Sequence, residues 1–501
     1  MAQAIQLTAP NGLSYSQPTG LFINNTFVPS TSGKTLKSIN PYDESPITEV
    51  ASATADDVDL AVTAAREAFT SVEWRGLTPS ERGLLLLRLA DLCEKHEEIL
   101  ATIDAWDNGK PYEQALGEDI SEVISVFRYY GGWADKIHGS TIDTGEAKLA
   151  YTRREPVGVC GQMIPWNYPV MMAAWKLGPA LACGNTVVLK AAEQTPLGVL
   201  YLANLIKEAG FPKGVVNIVN GLGSEAGAAI AGHPGIDKIA FTGSTNTGRE
   251  VMRAAAANLK AITLETGGKS PLLVFEDANL DQAVKWSHVG IMSNMGQICT
   301  ATSRIYVQDT IYDTFIKQFK QYTIDNSKVG NPFDSSTNHG PQVSKAQRDR
   351  ILSYIQTTKD EGAELVLGGG GEDTAAEKKG YFVKPTIFSN ISQTLTAVRE
   401  EVFGPFVVIQ SFSTEKDAIA KANDTQYGLG AAVFTENITR GHRVAAAIQA
   451  GMVWINSSQD SHFAIPFGGV KQSGIGRELG EYALSAYTQV KAVHVNLGTW
   501  L

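Results

Sequence analysis

Of the four cysteines in the chain, Cys299 stands apart by its surroundings. It lies in Asn294-Met-Gly-Gln-Ile-Cys-Thr-Ala301, a small, polar, glycine-containing stretch that reads as a loop or a helix start. A thiolate can form in such a setting, whereas thiols in apolar surroundings are inert core groups. Cys93 in a Leu-rich helix, Cys160 in a strand and Cys183 in Leu-Ala-Cys-Gly fit the inert description. Local texture alone leaves Cys299 open between nucleophile and core thiol. Glu265 directly follows the apolar run Ala261 to Leu264, and open α/β sheets put ligand chemistry at the carboxyl ends of their strands. It is either a capped surface carboxylate or a group aimed into a site. Asn167, in Ile164-Pro-Trp-Asn-Tyr-Pro169, is either a turn residue or an amide donor.

Two glycine turns compete as phosphate sites. Gly221-Leu-Gly223-Ser-Glu-Ala226 matches GxGxxA between a strand and an Ala-rich helical stretch, which by itself is a weak signal. Phe241-Thr-Gly243-Ser244 also leaves a strand and enters a helix, with a glycine for close backbone approach and a hydroxyl at a helix N-terminus. Together they favour a dinucleotide-binding domain. Gly267-Gly-Lys-Ser270 has the tail of a Walker A motif, but Thr263 stands where its first glycine belongs.

The elements that must position these residues are legible in outline. Val58, Ala61, Val62, Ala65 and Phe69 mark an amphipathic helix over 54–69. Thr78-Pro-Ser-Glu81 opens another, expected to run to about Leu100. Runs at 157–164, 186–189, 215–219, 238–241 and 261–264 read as buried strands, with a crossover helix capped by Thr195, opened by Pro196 and closed by Gly210. This is α/β with a parallel sheet. A second α/β set follows at 271–275, 304–307, 407–412, 431–434 and 452–455. The tract from Gly368 to Gly380 reads as a solvated loop. Val493, Val495 and Leu497 alternate with polar residues over a final strand that has no downstream partner; such an edge needs a cover, and a second subunit is one solution.

Composition bounds the partners. The 501 residues, 43% hydrophobic, suffice for two or three domains with buried cores. A net charge of −10, with no basic stripe, argues against nucleic acid and anionic membranes and for a small-molecule partner. Four scattered cysteines, none in a CxxC pair, imply a reducing compartment and no zinc site. The first thirty residues hold no Lys or Arg and no long apolar run, and no stretch approaches the ~20 apolar residues of a membrane span. The cytoplasm is the expected location.

Seven ordered motifs together resemble the aldehyde dehydrogenase superfamily, closest to fungal and animal enzymes of the acetaldehyde and retinaldehyde type. They are Pro165-Trp-Asn-Tyr-Pro, Leu189-Lys-Ala-Ala-Glu-Gln-Thr-Pro, Phe241-Thr-Gly-Ser, Glu265-Thr-Gly-Gly-Lys-Ser, Gly296-Gln-Ile-Cys, Glu400-Glu-Val-Phe-Gly-Pro and Pro466-Phe-Gly-Gly. The resemblance implies a Rossmann-like NAD-binding domain (1–136 and 158–267, with 469–482 packed on it), an α/β catalytic domain (268–468) and a small β oligomerisation arm (137–157 and 483–501).

It also implies roles. Cys299 would be the nucleophile, Glu265 the general base and Asn167 the oxyanion donor, with Lys176 and Glu478 relaying protons. The cofactor would meet Ile164, Trp166, Lys190, Glu193, Gly223, Gly243, Ser244, Glu401 and Phe403, with the principal phosphate clamp near Gly243 and Ser244. Glu193 favours NAD, since a carboxylate on the ribose repels a 2′-phosphate; NADP remains open because Lys190 is close. A mostly apolar substrate tunnel would be lined by Tyr168, Met172, Trp175, Ile298, Thr300, Ser461, Phe463 and Phe467, with no Arg or Lys to receive a carboxylate. No metal is implied. A homo-oligomer, tetramer or dimer, is expected.

Departures from the common pattern include Ala191, Asn220 and Thr266; the last adds a hydroxyl beside the base that would hold a water or reorient Glu265. Two rivals are a cysteine hydrolase, for which His288 is the nearest base in sequence, and a non-enzymatic descendant keeping only the fold.

Overall fold

The computed structural model describes residues 4–370 and 379–501. The five apolar runs between 157 and 264 become parallel strands at the centre of an eight-stranded sheet. In spatial order they are Val216–Val219, Thr186–Lys190, Val159–Met163, Lys238–Thr242 and Ala261–Glu265. Chain order therefore runs outward both ways from Val159–Met163, and the winding of the chain across the sheet reverses between that strand and its parallel neighbour Lys238–Thr242. At such a switch a crevice opens outside the carboxyl ends of the strands. Antiparallel strands finish both edges: Leu21–Ile23 with Thr26–Val28 on one side, Gly474–Ile475 on the other.

These strands are apolar throughout because both faces are covered. Val187 and Leu189 face one core, shared with helices Pro79–Lys95, Pro169–Ala182 and Leu197–Ala209. Val188 between them faces the other, shared with helix Ala55–Thr70. The second sheet has seven strands in the order Glu364–Leu367, Thr386–Ser389, Phe406–Phe412, Arg304–Gln308, Pro271–Val274, Gly430–Phe434 and Met452–Ile455, all parallel but the first. The loop that enters Phe406–Phe412 is held partly by helix Lys345–Asp360, whose Gln347 and Arg350 bond the Phe403 and Glu401 carbonyls and whose N-cap Ser344 accepts from the Gln347 amide at 3.3 Å.

Three expectations change. The helix opened by Thr78 ends at Lys95; His96 leaves helical geometry (φ −110°, ψ 18°), and Glu97–Asn108 is a separate helix. Thr195 makes no capping bond, and its helix starts at Leu197. The final strand, Thr488–Asn496, is not partnerless: it pairs antiparallel with Lys148–Pro156, which pairs in turn with Thr141–Asp143. It is nonetheless the outer strand of that three-stranded sheet. Most of the Gly368 to Gly380 tract lies outside the described residues.

Ser344→Ala removes the cap that starts the helix behind the second sheet's loops. We expect a loss of about 1 kcal/mol in urea unfolding, with the slope unchanged; an unshifted midpoint would show that the cap contributes nothing.

Candidate active site

The crevice at the strand switch receives Asn167. After Val159–Met163 the chain turns through Ile164 to Tyr168 and enters helix Pro169–Ala182 at its first residue, a proline. Asn167 is buried there, and its Nδ2 donates to the Gln297 carbonyl at 2.9 Å. Asn294 Nδ2 donates back to the Asn167 carbonyl at 3.0 Å. Two loops from different sheets are thereby stitched together, and the second carries Cys299.

The approach to Cys299 is strained. Asn294, Met295 and Gly296 are all left-handed, with φ of 45°, 55° and 71°. Such a run persists only where its surroundings enforce it. At Gly296 a Cβ would enter the backbone of Gly404 and Pro405. On the far side Thr300 donates to Gln459 Oε1 at 2.5 Å, and Gln459 Nε2 donates to the Thr300 carbonyl at 2.9 Å. Cys299 is clasped between, with partial exposure.

The glycines that only imitated a Walker motif serve close packing instead. A Cβ on Gly268 would collide with the Cys299 carbonyl, and one on Gly267 with the Glu401 carboxylate. The Gly268 N–H donates to Glu401 Oε1 at 2.9 Å. Phe403, itself at φ 62°, crosses Trp166 edge-on at 5.3 Å. Gln347 donates to the Phe403 carbonyl at 2.6 Å and Arg350 to that of Glu401 at 2.8 Å.

One cavity of about 370 Å³ joins these groups. It is lined by Cys299, Glu265 and Asn167, by Trp166, Gly243, Ser244, Glu401 and Phe403 on one side, and by Tyr168, Met172, Trp175, Ile298, Thr300, Ser461 and Phe467 on the other. Phe463 is not part of the wall; it packs against Tyr129 at 5.4 Å. Ile164, Lys190, Glu193 and Gly223 also lie off it. Lys190 Nζ donates to Glu193 at 3.1 Å and to the Ala191 carbonyl at 2.9 Å, while the Glu193 side chain stays one-third exposed. Ser244 caps helix Thr245–Ala255 by accepting from Thr247 N at 3.2 Å.

Residues 27–493 match the model of the aldehyde dehydrogenase family. The chain belongs to that family. It is 55% identical to an aldehyde dehydrogenase of Aspergillus niger over 98% of each chain. It is 51% identical to the human mitochondrial aldehyde dehydrogenase over 95% of this chain and 92% of the relative. The NAD+ complex of the Bacillus cereus aldehyde dehydrogenase superimposes with a TM-score of 0.94 at 51% identity, covering 96% and 97% of the two chains.

In this aldehyde dehydrogenase Glu265 is buried at the end of its strand with Oε1 unpartnered. Burial pushes its carboxyl up to about 8, and the like charge of Glu478 adds to the shift. Burial and then the facing Glu265 push the Cys299 thiol well above its ordinary value. Lys176 donates to Glu478, and to Thr242 Oγ1 at 2.7 Å. Glu478 keeps Oε2 unpartnered, and its backbone pairs with Phe467. Thr266 does not hold or steer Glu265: its hydroxyl donates to the Gln472 carbonyl at 2.7 Å. His288 is off the cavity wall, bonded to Ser327 Oγ at 2.9 Å, and burial lowers it to about 4.

Gln459, Gln347, Arg350 and the carboxylates Glu118, Asp119 and Glu122 also line the cavity. Sequence reading missed them: Gln459 lies in a loop after Met452–Ile455, and the others read as solvated positions of polar helical stretches.

Gly268→Ala should drive the Cys299 carbonyl out of register and lower aldehyde turnover at least tenfold, because backbone cannot yield as a flexible side chain can. Gly370→Ala, with open space around its Cβ, is the control. Equal activity in both variants would contradict the close-approach argument.

Proposed function

We propose that the enzyme oxidises aldehydes to carboxylic acids with NAD through a covalent intermediate on Cys299. The observation that carries this reading is the convergence of Cys299, Asn167 and Glu265, whose Oε1 is unpartnered, on one cavity. The Cys299 thiolate adds to the carbonyl carbon. The resulting oxyanion is received by the second N–H of the Asn167 amide, the first being given to Gln297, and by the backbone N–H of Cys299. When bound, the nicotinamide supplies the acceptor for the hydride that leaves this carbon with its electron pair. A thioester on Cys299 remains. Glu265 takes a proton from water as the water oxygen attacks the acyl carbon; the C–S bond breaks, the thiolate returns and the acid departs. Glu478 and Lys176 form the path by which the proton leaves Glu265.

Trp166, Glu401 and Phe403 would hold the nicotinamide end of the cofactor. Gly243 and Ser244, at the strand switch and at a helix N-terminus, would hold the pyrophosphate, and Ile164, Lys190, Glu193 and Gly223 the adenosine side. The partly exposed Glu193 carboxylate favours a free ribose hydroxyl, hence NAD over NADP. By this reading 1–136 and 158–267, with 469–482, form the cofactor domain and 268–468 the catalytic domain. Segments 137–157 and 483–501 assemble a homo-oligomer across the outer strand Thr488–Asn496. Four free cysteines suit the reducing cytosol. Among the described residues no helix is long and apolar enough to cross a membrane.

With NAD and a panel of aldehydes we expect NADH absorbance from the native enzyme and none from Cys299→Ala; NADH formation by the variant would refute the nucleophile. A KM lower for NADP than for NAD would overturn the reading of Glu193. Since Glu265 is a base only when ionised and its carboxyl is raised, steady-state turnover should climb as pH rises through about 8. A rate already flat below pH 7 would contradict that burial effect. Light scattering should give a particle larger than one chain, and a clean monomer would remove the oligomer.

A further inference from the structure

Asn167 is held from the front by the turn that carries Cys299, and from behind by the end of helix Glu97–Asn108. Asn108, the last helical residue, is fully buried, and its Nδ2 donates to the Trp166 carbonyl at 2.7 Å. That carbonyl belongs to the peptide unit whose nitrogen is that of Asn167, so the bond fixes the plane from which the Asn167 side chain departs. Among the described residues it is the one hydrogen bond of the Asn108 side chain, whose Oδ1 has no partner. Two residues on, Lys110 is buried with its Nζ 3.8 Å from the centroid of the Tyr168 ring. The ammonium cannot swing away, because it is engaged with Asp119 and stands 3.9 Å from Asp104. Asn108 and Lys110 take hold of the residues immediately before and after Asn167.

The corner between them is itself wedged. Gly109 turns the chain through left-handed geometry (φ 87°) and closes the helix by donating to the Ala105 carbonyl at 3.1 Å. A Cβ there would lie 2.9 Å from Pro341 Cγ and 3.2 Å from Pro41 Cβ. Past Pro341, Gln342 Nε2 donates to the Met295 carbonyl at 3.3 Å, and the Val343 N–H donates to Gln297 Oε1 at 3.0 Å. Gln297 is the residue whose carbonyl accepts from Asn167. These contacts close a ring through 108–110, 166–168, 295–297 and 341–343, and a shift of any one segment strains the next.

Resting on the proposed reaction, we infer that Asn108 and Lys110 are positioning residues for the oxyanion, aiming the Asn167 amide at the carbonyl carried by Cys299. Neither lines the cavity, so neither meets substrate or cofactor directly. An oxyanion donor works only within a narrow range of distance and angle, and a misplacement of about 1 Å can lower a rate about a hundredfold. Support of this kind behind a donor decides whether it is held in that range.

The test is a pair of double-mutant cycles. Asn108→Leu keeps the side-chain volume and removes the donor; Lys110→Met removes the ammonium. Asn108→Leu leaves no charge unpaired, so it carries the test if Lys110→Met does not fold. The rate constant of the NADH burst with butanal is measured for each variant alone and combined with Asn167→Ala. That constant does not depend on how much of the protein is folded, so partial misfolding does not imitate the effect. Each single variant should slow the burst about tenfold with KM for NAD within about twofold, yet change the Asn167→Ala enzyme less than about twofold, since nothing is left to aim. Losses that multiply in the Asn167→Ala background, or an Asn108→Leu enzyme as fast as the native one, overturn the inference and leave the reaction standing. An Asn167→Ala enzyme as fast as the native one removes the oxyanion role from Asn167 and the inference with it.

Discussion

The Asn167 amide spans the joint between two sheets. Its bond to the Gln297 carbonyl, with Asn294 answering from the other side, ties a loop at the strand switch of the first sheet to the turn that leads into Cys299. Everything around the thiol follows from the closeness this requires. The chain reaches it through three left-handed residues, and Gly267 and Gly268 have no room for a Cβ. Gln459 closes the clasp from the second sheet. A thiol on so determined a turn presents itself to a ligand in few conformations, which is pre-organisation.

Burial at this joint has an electrostatic consequence. Glu265 and Glu401 are raised to about 8 and about 7, and Lys269, whose Nζ has no partner, is lowered to about 7. Each shift is led by desolvation. For Glu265, the group proposed to move a proton, the shift brings loss and gain of that proton closer to neutral pH than it would be in water.

The buried strands were legible because a parallel sheet covered on both faces writes itself as short apolar runs. The cap at Thr78 was legible too, but the break at His96 was not, since nothing in Lys95-His-Glu97 interrupts helical spacing. Cys299, Glu265 and Asn167 could be singled out, yet only the resemblance joined them, because they are brought together by bonds between segments more than a hundred residues apart. Gly267 and Gly268 looked like a failed nucleotide motif because the atoms that demand glycine belong to Cys299 and Glu401. The acidic wall escaped notice for the opposite reason: Glu118-Asp-Ile-Ser-Glu122 reads as an ordinary solvated helix face until a cavity is seen beside it. Phe463 was placed in the tunnel by its neighbours in sequence and turns instead toward Tyr129.

Division of labour between Cys299 and Glu265 is the centre of the proposed chemistry, and the mass of the intact protein reads it directly. Glu265→Gln is mixed with NAD and an aldehyde, quenched in acid during steady state, and compared with the native enzyme and Cys299→Ala. An acyl adduct on Cys299 should accumulate close to one per active site in Glu265→Gln, stay sparse in the native enzyme and be absent without the thiol. A Glu265→Gln enzyme that loses turnover yet accumulates no adduct would contradict that division, placing Glu265 before the thioester and not after it.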